Sequence, residues 1–181
     1  IIIKMTKIYV NVDEFLLDCF KLAKKIYDSK YKPNKIIGVW RGGSLTTLVI
    51  DEFFRFKNNK IRGYPLKVEA YAGDKLNKKI YIYGFKDLSK QIKKGNKVLI
   101  IDDVFDTGSS LERIIKDVSK ITKNIKIATV YYKPKKNKTN LKPDFYLHET
   151  NSWIVFPHEL ENLSLEEIKL KNSKIYEILT T

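Results

Sequence analysis

Three carboxylates crowd one short stretch of this chain. Asp102, Asp103 and Asp106 lie between the apolar run Val98–Ile101 and the turn Thr107-Gly108-Ser109-Ser110. A carboxylate cannot bind a phosphate directly. It does accept hydrogen bonds from sugar hydroxyls, and it holds divalent ions that bridge phosphates. The turn has the complementary chemistry. It is small and hydroxyl-rich, and it opens a helix whose first amides have no partners inside the helix and sit at the positive end of its dipole. Such a turn can wrap a phosphate, and Gly108 lets the backbone come close or take a positive φ. Together the two halves suit a phosphorylated sugar. The plainer alternative is a buried strand and a charged turn in which Ser109 or Asp106 only caps the helix. That alternative leaves three carboxylates beside a phosphate-type turn without a reason.

A second candidate anion site lies upstream. Lys35–Trp40, K-I-I-G-V-W, reads as a core strand that passes through Arg41-Gly42-Gly43-Ser44 into a helix. That helix carries Leu45, Leu48, Val49, Glu52 and Phe53 to about Phe56. Two glycines leave backbone amides open to a ligand, and Arg41 adds a permanent charge suited to phosphate. Alone, a glycine-rich strand-to-helix joint is also a common packing device. Lys133 stands at the carboxyl end of another apolar strand, where open α/β sheets bind their ligands.

The elements that must position these residues can be read from periodicity. An unbroken apolar run such as Val98–Ile101 suits a parallel strand buried on both faces, and the amphipathic stretch Leu111–Ile121 suits a helix after it. Lys7–Val10 reads as a short strand. Asp13 reads as the cap of a helix built on Phe15, Leu16, Cys19, Phe20, Ala23 and Ile26. Pro65–Tyr71 and Ile80–Phe85 read as a hairpin-like pair of strands around a polar tip, with Tyr71 and Lys75 as candidates to reach an anion. Asp87–Asn96 reads as a short helix or turn, Lys126–Tyr132 as a strand and Asp144–Leu147 as a further short strand. Lys133–Lys142, with five lysines, reads as a solvated basic loop. Ser164 and Glu167 form a capping-box pattern that opens a final helix running to about Leu179. The expected fold is α/β: a central, mostly parallel β-sheet flanked by helices. Residues 1–181 make one domain, with a core at about 35–132 and a small hood from about 1–12 and 133–181.

Composition sets the outer bounds. At 181 residues the chain can bury a proper core. No apolar run approaches the ~20 residues that span a bilayer, and Ile1–Ile3 is too short for a signal-peptide core. The single Cys19 forms no internal disulfide, which fits a cytoplasmic location. The net charge of +14 admits nucleic acid, a membrane surface or an anionic small molecule as partner. The lysines are scattered along the chain rather than gathered in one block, which favours solvated surface over a nucleic-acid footprint.

The ordered string V-L-I-I-D-D-V-F-D-T-G-S-S resembles the phosphoribosyl-pyrophosphate (PRPP) loop of the type I phosphoribosyltransferases. The likeness extends over about Lys35–Glu159. It implies that Asp102 and Asp103 bind the ribose hydroxyls and approach Mg²⁺. It implies that Asp106, Thr107, Gly108, Ser109 and Ser110 cradle the 5′-phosphate, and that Arg41, Gly42 and Gly43 hold the pyrophosphate. A strained or cis non-proline peptide between Trp40 and Gly42 is expected on the same ground. Asp106 matches the aspartate that acts as general base at N7 in relatives using 6-oxopurines. Lys133 matches the lysine that donates to the 6-oxo group, and Trp153 the aromatic that stacks on the purine, with Ile154 reading the 2-substituent. The segment W-I-V-F-P-H-E is close to a pattern of xanthine-guanine and archaeal relatives, with His158 in place of a second tryptophan; Glu159 is a further candidate for Mg²⁺. The implied partners are PRPP, a purine base, a nucleoside monophosphate and pyrophosphate, in a homodimer or homotetramer. Two alternatives remain open: the same fold acting on adenine or a pyrimidine, and a non-catalytic PRPP-sensing regulator that binds nucleic acid. The set Asp106, Lys133 and Trp153 argues against the first. The lack of a visible helix-turn-helix extension argues against the second.

Overall fold

The computed structural model describes residues 7–71 and 79–181, and only the backbone of Ala70 and Tyr71. Its elements are β1 (Lys7–Tyr9), α1 (Val12–Asp28), β2 (Lys35–Trp40), α2 (Ser44–Phe56), β3 (Arg62–Tyr71), β4 (Lys79–Tyr83), α3 (Phe85–Gln91), β5 (Val98–Phe105), α4 (Ser109–Val118), β6 (Ile125–Tyr132), β7 (His148–Glu149), β8 (Trp153–Val155), α5 (Leu165–Lys171) and α6 (Ser173–Thr180). Two compact units emerge: Leu16–Asn151, and Ile1–Phe15 together with Ser152–Thr181. No helix among the described residues is long and apolar enough to cross a membrane.

The larger unit is built on a six-stranded sheet in the order β4-β3-β2-β5-β6-β7. All neighbours are parallel except β3 and β4, which pair antiparallel as the expected hairpin. Alternation along β5 explains why its apolar run is continuous. Val98 and Ile100 join the cluster of Leu88, Ile92, Leu111, Ile114 and Val118, while Leu99 and Ile101, equally buried, stand on alternate positions of the strand. Covering both faces of a parallel strand removes most polar positions from it.

The central strand is longer than its apolar run. β6 goes on pairing with it past Ile101, at Asp102↔Thr129, Val104↔Tyr131 and Phe105↔Tyr132. Asp102 and Asp103 therefore sit on the rigid end of a strand and not in a loop. Residues 133–151 group with the larger unit, because Phe145 bridges Ala128 and His148 pairs with Tyr131. α3 begins at Phe85, where the sequence suggested the end of a strand, once Gly84 turns the chain at φ 83°.

In the smaller unit β1 and β8 pair in parallel, Lys7↔Trp153 to Tyr9↔Val155. The first helix is capped two residues earlier than expected: Asn11 Oδ1, not Asp13, accepts from the amides of Asp13 (2.8 Å) and Glu14 (3.4 Å). The capping box at Ser164 and Glu167 forms as read. The helix it opens stops at Lys171, however. Asn172 is extended (φ −164°, ψ 110°), and its side chain caps a second helix by accepting from the Lys174 and Ile175 amides.

Candidate active site

Two strand-to-helix turns meet at the carboxyl edge of the sheet. At the first, β2 ends at Trp40, and the Trp40–Arg41 peptide is cis, within the span expected for it. Gly43 is the N-cap of α2 and makes no side-chain capping bond. The turn lies directly on the end of β5. A Cβ on Gly42 would come within 2.8 Å of Asp103 Cγ and Oδ1, and one on Gly43 would come within 2.7 Å of the Ile101 carbonyl. Any side chain at Gly42 would occupy the space of the Asp103 carboxylate.

The acids beneath this turn differ from each other. Asp103 is buried, at 6% exposure, whereas Asp102 is partly exposed. The Asp102 carboxylate accepts from the Asp103 amide (3.0 Å) and from the Gly43 amide. Shielding from water, and then the neighbouring Asp103 charge, push the Asp102 carboxyl well above the usual carboxylate range.

At the second turn Gly108 takes φ 79° and leads into α4, again with no side-chain capping bond at the N-cap. The first intrahelical bond runs from the Glu112 amide to the Gly108 carbonyl (2.8 Å). Thr107 and Ser109 bring their hydroxyls to 3.3 Å. Beneath them Phe105 is fully buried and meets the Tyr132 ring edge-on at 5.5 Å. The Ser109 amide has only a long bond to Thr107 Oγ1 (3.5 Å), and a helix start with such loosely held amides and clustered hydroxyls has the chemistry to receive an anion.

The structure joins two of the proposed base-site residues. Lys133 Nζ lies 2.9 Å from Asp106 Oδ2, and the side chains are 5% and 38% exposed. An ammonium this deep needs an anionic partner, and Asp106 supplies it across 27 positions of sequence. The remaining candidates fall in the smaller unit. Trp153 opens β8 with 43% exposure, and Ile154 is buried opposite Ile8. The Glu159 carboxylate accepts from the Phe156 amide (3.1 Å), and its carbonyl accepts from Lys171 Nζ. His158 stacks on Phe156. Lys75 and the side chain of Tyr71 lie outside the described residues.

Two features escaped the sequence reading. The basic loop after Lys133 is an ordered turn: Lys138 donates its amide to the Thr107 carbonyl (2.9 Å), and Thr139 Oγ1 lies 2.7 Å from where a Cβ on Gly108 would fall. The run N-K-T-N carried the signal, since Asn and Thr close such turns with their side chains, but the lysines masked it. The second is His148, whose Nε2 lies 2.7 Å from Asp18 Oδ2 and whose ring packs on Tyr131. Nothing in local spacing points to a partner 130 residues away.

Among the described residues no three His, Cys, Asp or Glu side chains converge as a metal site. The pair Asp102 and Asp103 nonetheless fits Mg²⁺, which binds through one or two carboxylates and completes its shell with substrate oxygens and water. Two adjacent carboxyls, one held toward its protonated form, are the donor set that such a cation relieves.

An open parallel sheet with paired glycine turns at neighbouring strand ends, followed by an acidic strand tip, is the architecture of the type I phosphoribosyltransferase fold. Comparison with known proteins agrees. The model of the phosphoribosyl transferase domain family matches residues 5–164. A purine phosphoribosyltransferase from Pyrococcus horikoshii is 34% identical, with 88% of this chain and 98% of that one covered and a TM-score of 0.71. A Helicobacter pylori xanthine-guanine-hypoxanthine phosphoribosyltransferase shares the fold, with TM-score 0.66 over 94% of this chain and 99% of that one at 24% identity. Human phosphoribosyltransferase domain-containing protein 1 is 26% identical over 149 residues, 78% of this chain and 65% of its own length. Human hypoxanthine-guanine phosphoribosyltransferase is 27% identical over 119 residues, 62% and 54% of the two chains. The chain thus spans between half and two-thirds of the length of these curated relatives. It belongs to the phosphoribosyl transferase domain family.

Proposed function

We propose that this protein transfers the 5-phosphoribosyl group of PRPP to N9 of a 6-oxopurine, giving the nucleoside 5′-monophosphate and pyrophosphate. PRPP carries its two anionic groups on opposite sides of the ribose, and two separate turns suit it where one would not. The observation that carries the base assignment is the Lys133–Asp106 pair at 2.9 Å, beside the phosphate turn. A buried cation and a carboxylate, side by side, complement a ring that presents a carbonyl and an adjacent N–H. The purine phosphoribosyltransferase of Pyrococcus horikoshii, alike over nearly its whole length, supports a purine as the acceptor.

In this reading the turn at 107–110 holds the 5′-phosphate through amides and hydroxyls. Arg41 and the amides at Gly42 and Gly43 hold the pyrophosphate. On arrival of the base, Lys133 turns its ammonium to the 6-oxo group and Asp106 accepts the proton at N7. The bond from ribose C1 to pyrophosphate oxygen breaks as the bond from C1 to N9 forms. Positive charge grows on the sugar while the pyrophosphate leaves with its electron pair, stabilised by donors placed in advance. Asp102 and Asp103 would hold Mg²⁺, which when bound neutralises charge on the pyrophosphate.

A panel of free bases incubated with PRPP and Mg²⁺ tests the proposal. Guanine, hypoxanthine or xanthine should yield its monophosphate. Product from adenine or orotate alone would overturn the base assignment. PRPP binding without product from any base would favour the non-catalytic sensor.

A further inference from the structure

The loop after Lys133 is more ordered than its composition suggests. Asn137 uses both ends of its amide. Its Oδ1 accepts from the Thr139 amide and from Thr139 Oγ1, each at 2.9 Å, and its Nδ2 donates to the Leu141 carbonyl at 2.7 Å. Thr139 Oγ1 in turn accepts from the Leu141 amide at 3.2 Å. Asn137 Nδ2 also lies 3.4 Å from the Tyr132 hydroxyl, beneath which Phe105 packs. The closed loop rests on the phosphate turn at three points. The Lys133 amide donates to the Phe105 carbonyl, the Lys138 amide donates to the Thr107 carbonyl, and Thr139 Oγ1 fills the space over Gly108. The same segment carries Lys133 to Asp106.

We propose that Asn137 and Thr139 are positioning residues: they close the segment 133–141 into a brace that sets the backbone of the 107–109 turn and ties it to Lys133. The proposal rests on the reading of that turn as the 5′-phosphate cradle. Its physical reason is preorganisation. Gly108 makes the turn permissive, and a site that must present several amides to one anion needs its backbone fixed from outside. The Lys138 amide and the Thr139 hydroxyl supply that constraint from outside the turn, without using the turn's own amides as donors. Neither Asn137 nor Thr139 is among the residues assigned to the ligand, so the loss of either side chain acts through geometry.

The test uses the full chain and two probes in calorimetry, guanosine 5′-monophosphate for the phosphate turn and Mg²⁺-pyrophosphate for the Arg41 turn. Thr139→Val keeps the shape of the side chain and removes its hydroxyl; Asn137→Ala removes the hub. We expect the monophosphate to bind about tenfold more weakly to each variant, the scale of a lost buried hydrogen bond, with pyrophosphate affinity unchanged and Thr139→Ser restoring the loss. Equal weakening of both probes, or no weakening of either with the wild type binding normally, would overturn the brace. If Asn137→Ala fails to fold, the Thr139 pair decides alone. Failure of the wild-type protein to bind the monophosphate would instead overturn the phosphate-cradle reading itself.

Discussion

The two turns at the sheet edge are built alike and supported differently. Each passes from a strand through glycine into a helix with no side-chain cap. The turn at 107–109 rests on neutral groups: the Lys138 amide, the Thr139 hydroxyl and the Phe105 ring. The turn at 41–43 rests on carboxylates, with Asp103 against Gly42 and Asp102 accepting from Gly43. A neutral support lets backbone amides bind an anion unaided. An acidic support opposes an anion until a proton or a divalent cation offsets it. On the proposed reading, the turn at 107–109 would hold a phosphate unaided, and the turn at 41–43 would do so in company with a metal.

That contrast can be attacked directly, and the largest effect concerns the group between the turns. Asp106→Asn should leave PRPP affinity nearly unchanged and slow transfer by about 10²-fold or more, as loss of a general base does; normal turnover would remove Asp106 from the chemistry. The variant also leaves the buried Lys133 ammonium facing a neutral amide, so a thermal melt should show a clear loss of stability beside the kinetic one.

The glycine variants come next. Gly42→Ala drives a methyl into the Asp103 carboxylate. Overpacking costs about 1–3 kcal/mol, which should appear as roughly tenfold weaker pyrophosphate binding or more, with the 5′-monophosphate unaffected. Gly108→Ala should do the reverse, since its positive φ and the neighbouring Phe105 and Thr139 both resist a side chain. If both variants weaken the same ligand, the two turns do not serve different ends of it.

Chelation gives a smaller, graded contrast. Removing Mg²⁺ should weaken pyrophosphate binding severalfold while leaving the monophosphate almost untouched, as titration in the presence of a chelator would show. Arg41→Ala should deepen the pyrophosphate loss without spreading it. Equal dependence of both ligands on the metal would erase the distinction.

The smallest effect is in stability. The Asp102 carboxyl titrates higher in the folded protein than in the unfolded chain, so its protonated form favours folding. That contribution is complete below the ordinary carboxylate range and is lost as pH rises through the raised folded value. Asp102→Asn escapes the loss. Its melting temperature should match the wild type near pH ~4 and exceed it increasingly toward neutrality. A constant difference across pH would mean that Asp102 ionises freely.

Much of this was legible in the chain. The continuous apolar run at Val98–Ile101, the glycine joints at Gly42 and Gly108 and the capping box at Ser164 each obey a local rule, and each appears where the rule puts it. What local rules could not give was long-range. The extension of β5 through Asp102 and Asp103 depends on β6 continuing beside it. The brace at Asn137 depends on a turn thirty residues earlier in the chain. The break at Asn172 was local and still missed, because the apolar spacing of two short helices in succession imitates one long helix. The Lys133–Asp106 pair lay between these cases: both residues were singled out, but only the fold brings them together.

The central claim is that one ligand is gripped at both ends. Calorimetry with PRPP in Mg²⁺ buffer tests it most directly, run beside ribose 5-phosphate and pyrophosphate as separate fragments. The account predicts that PRPP binds more tightly than either fragment and that each fragment competes with it. Absence of PRPP binding, or a PRPP affinity no better than that of one fragment alone, would contradict it.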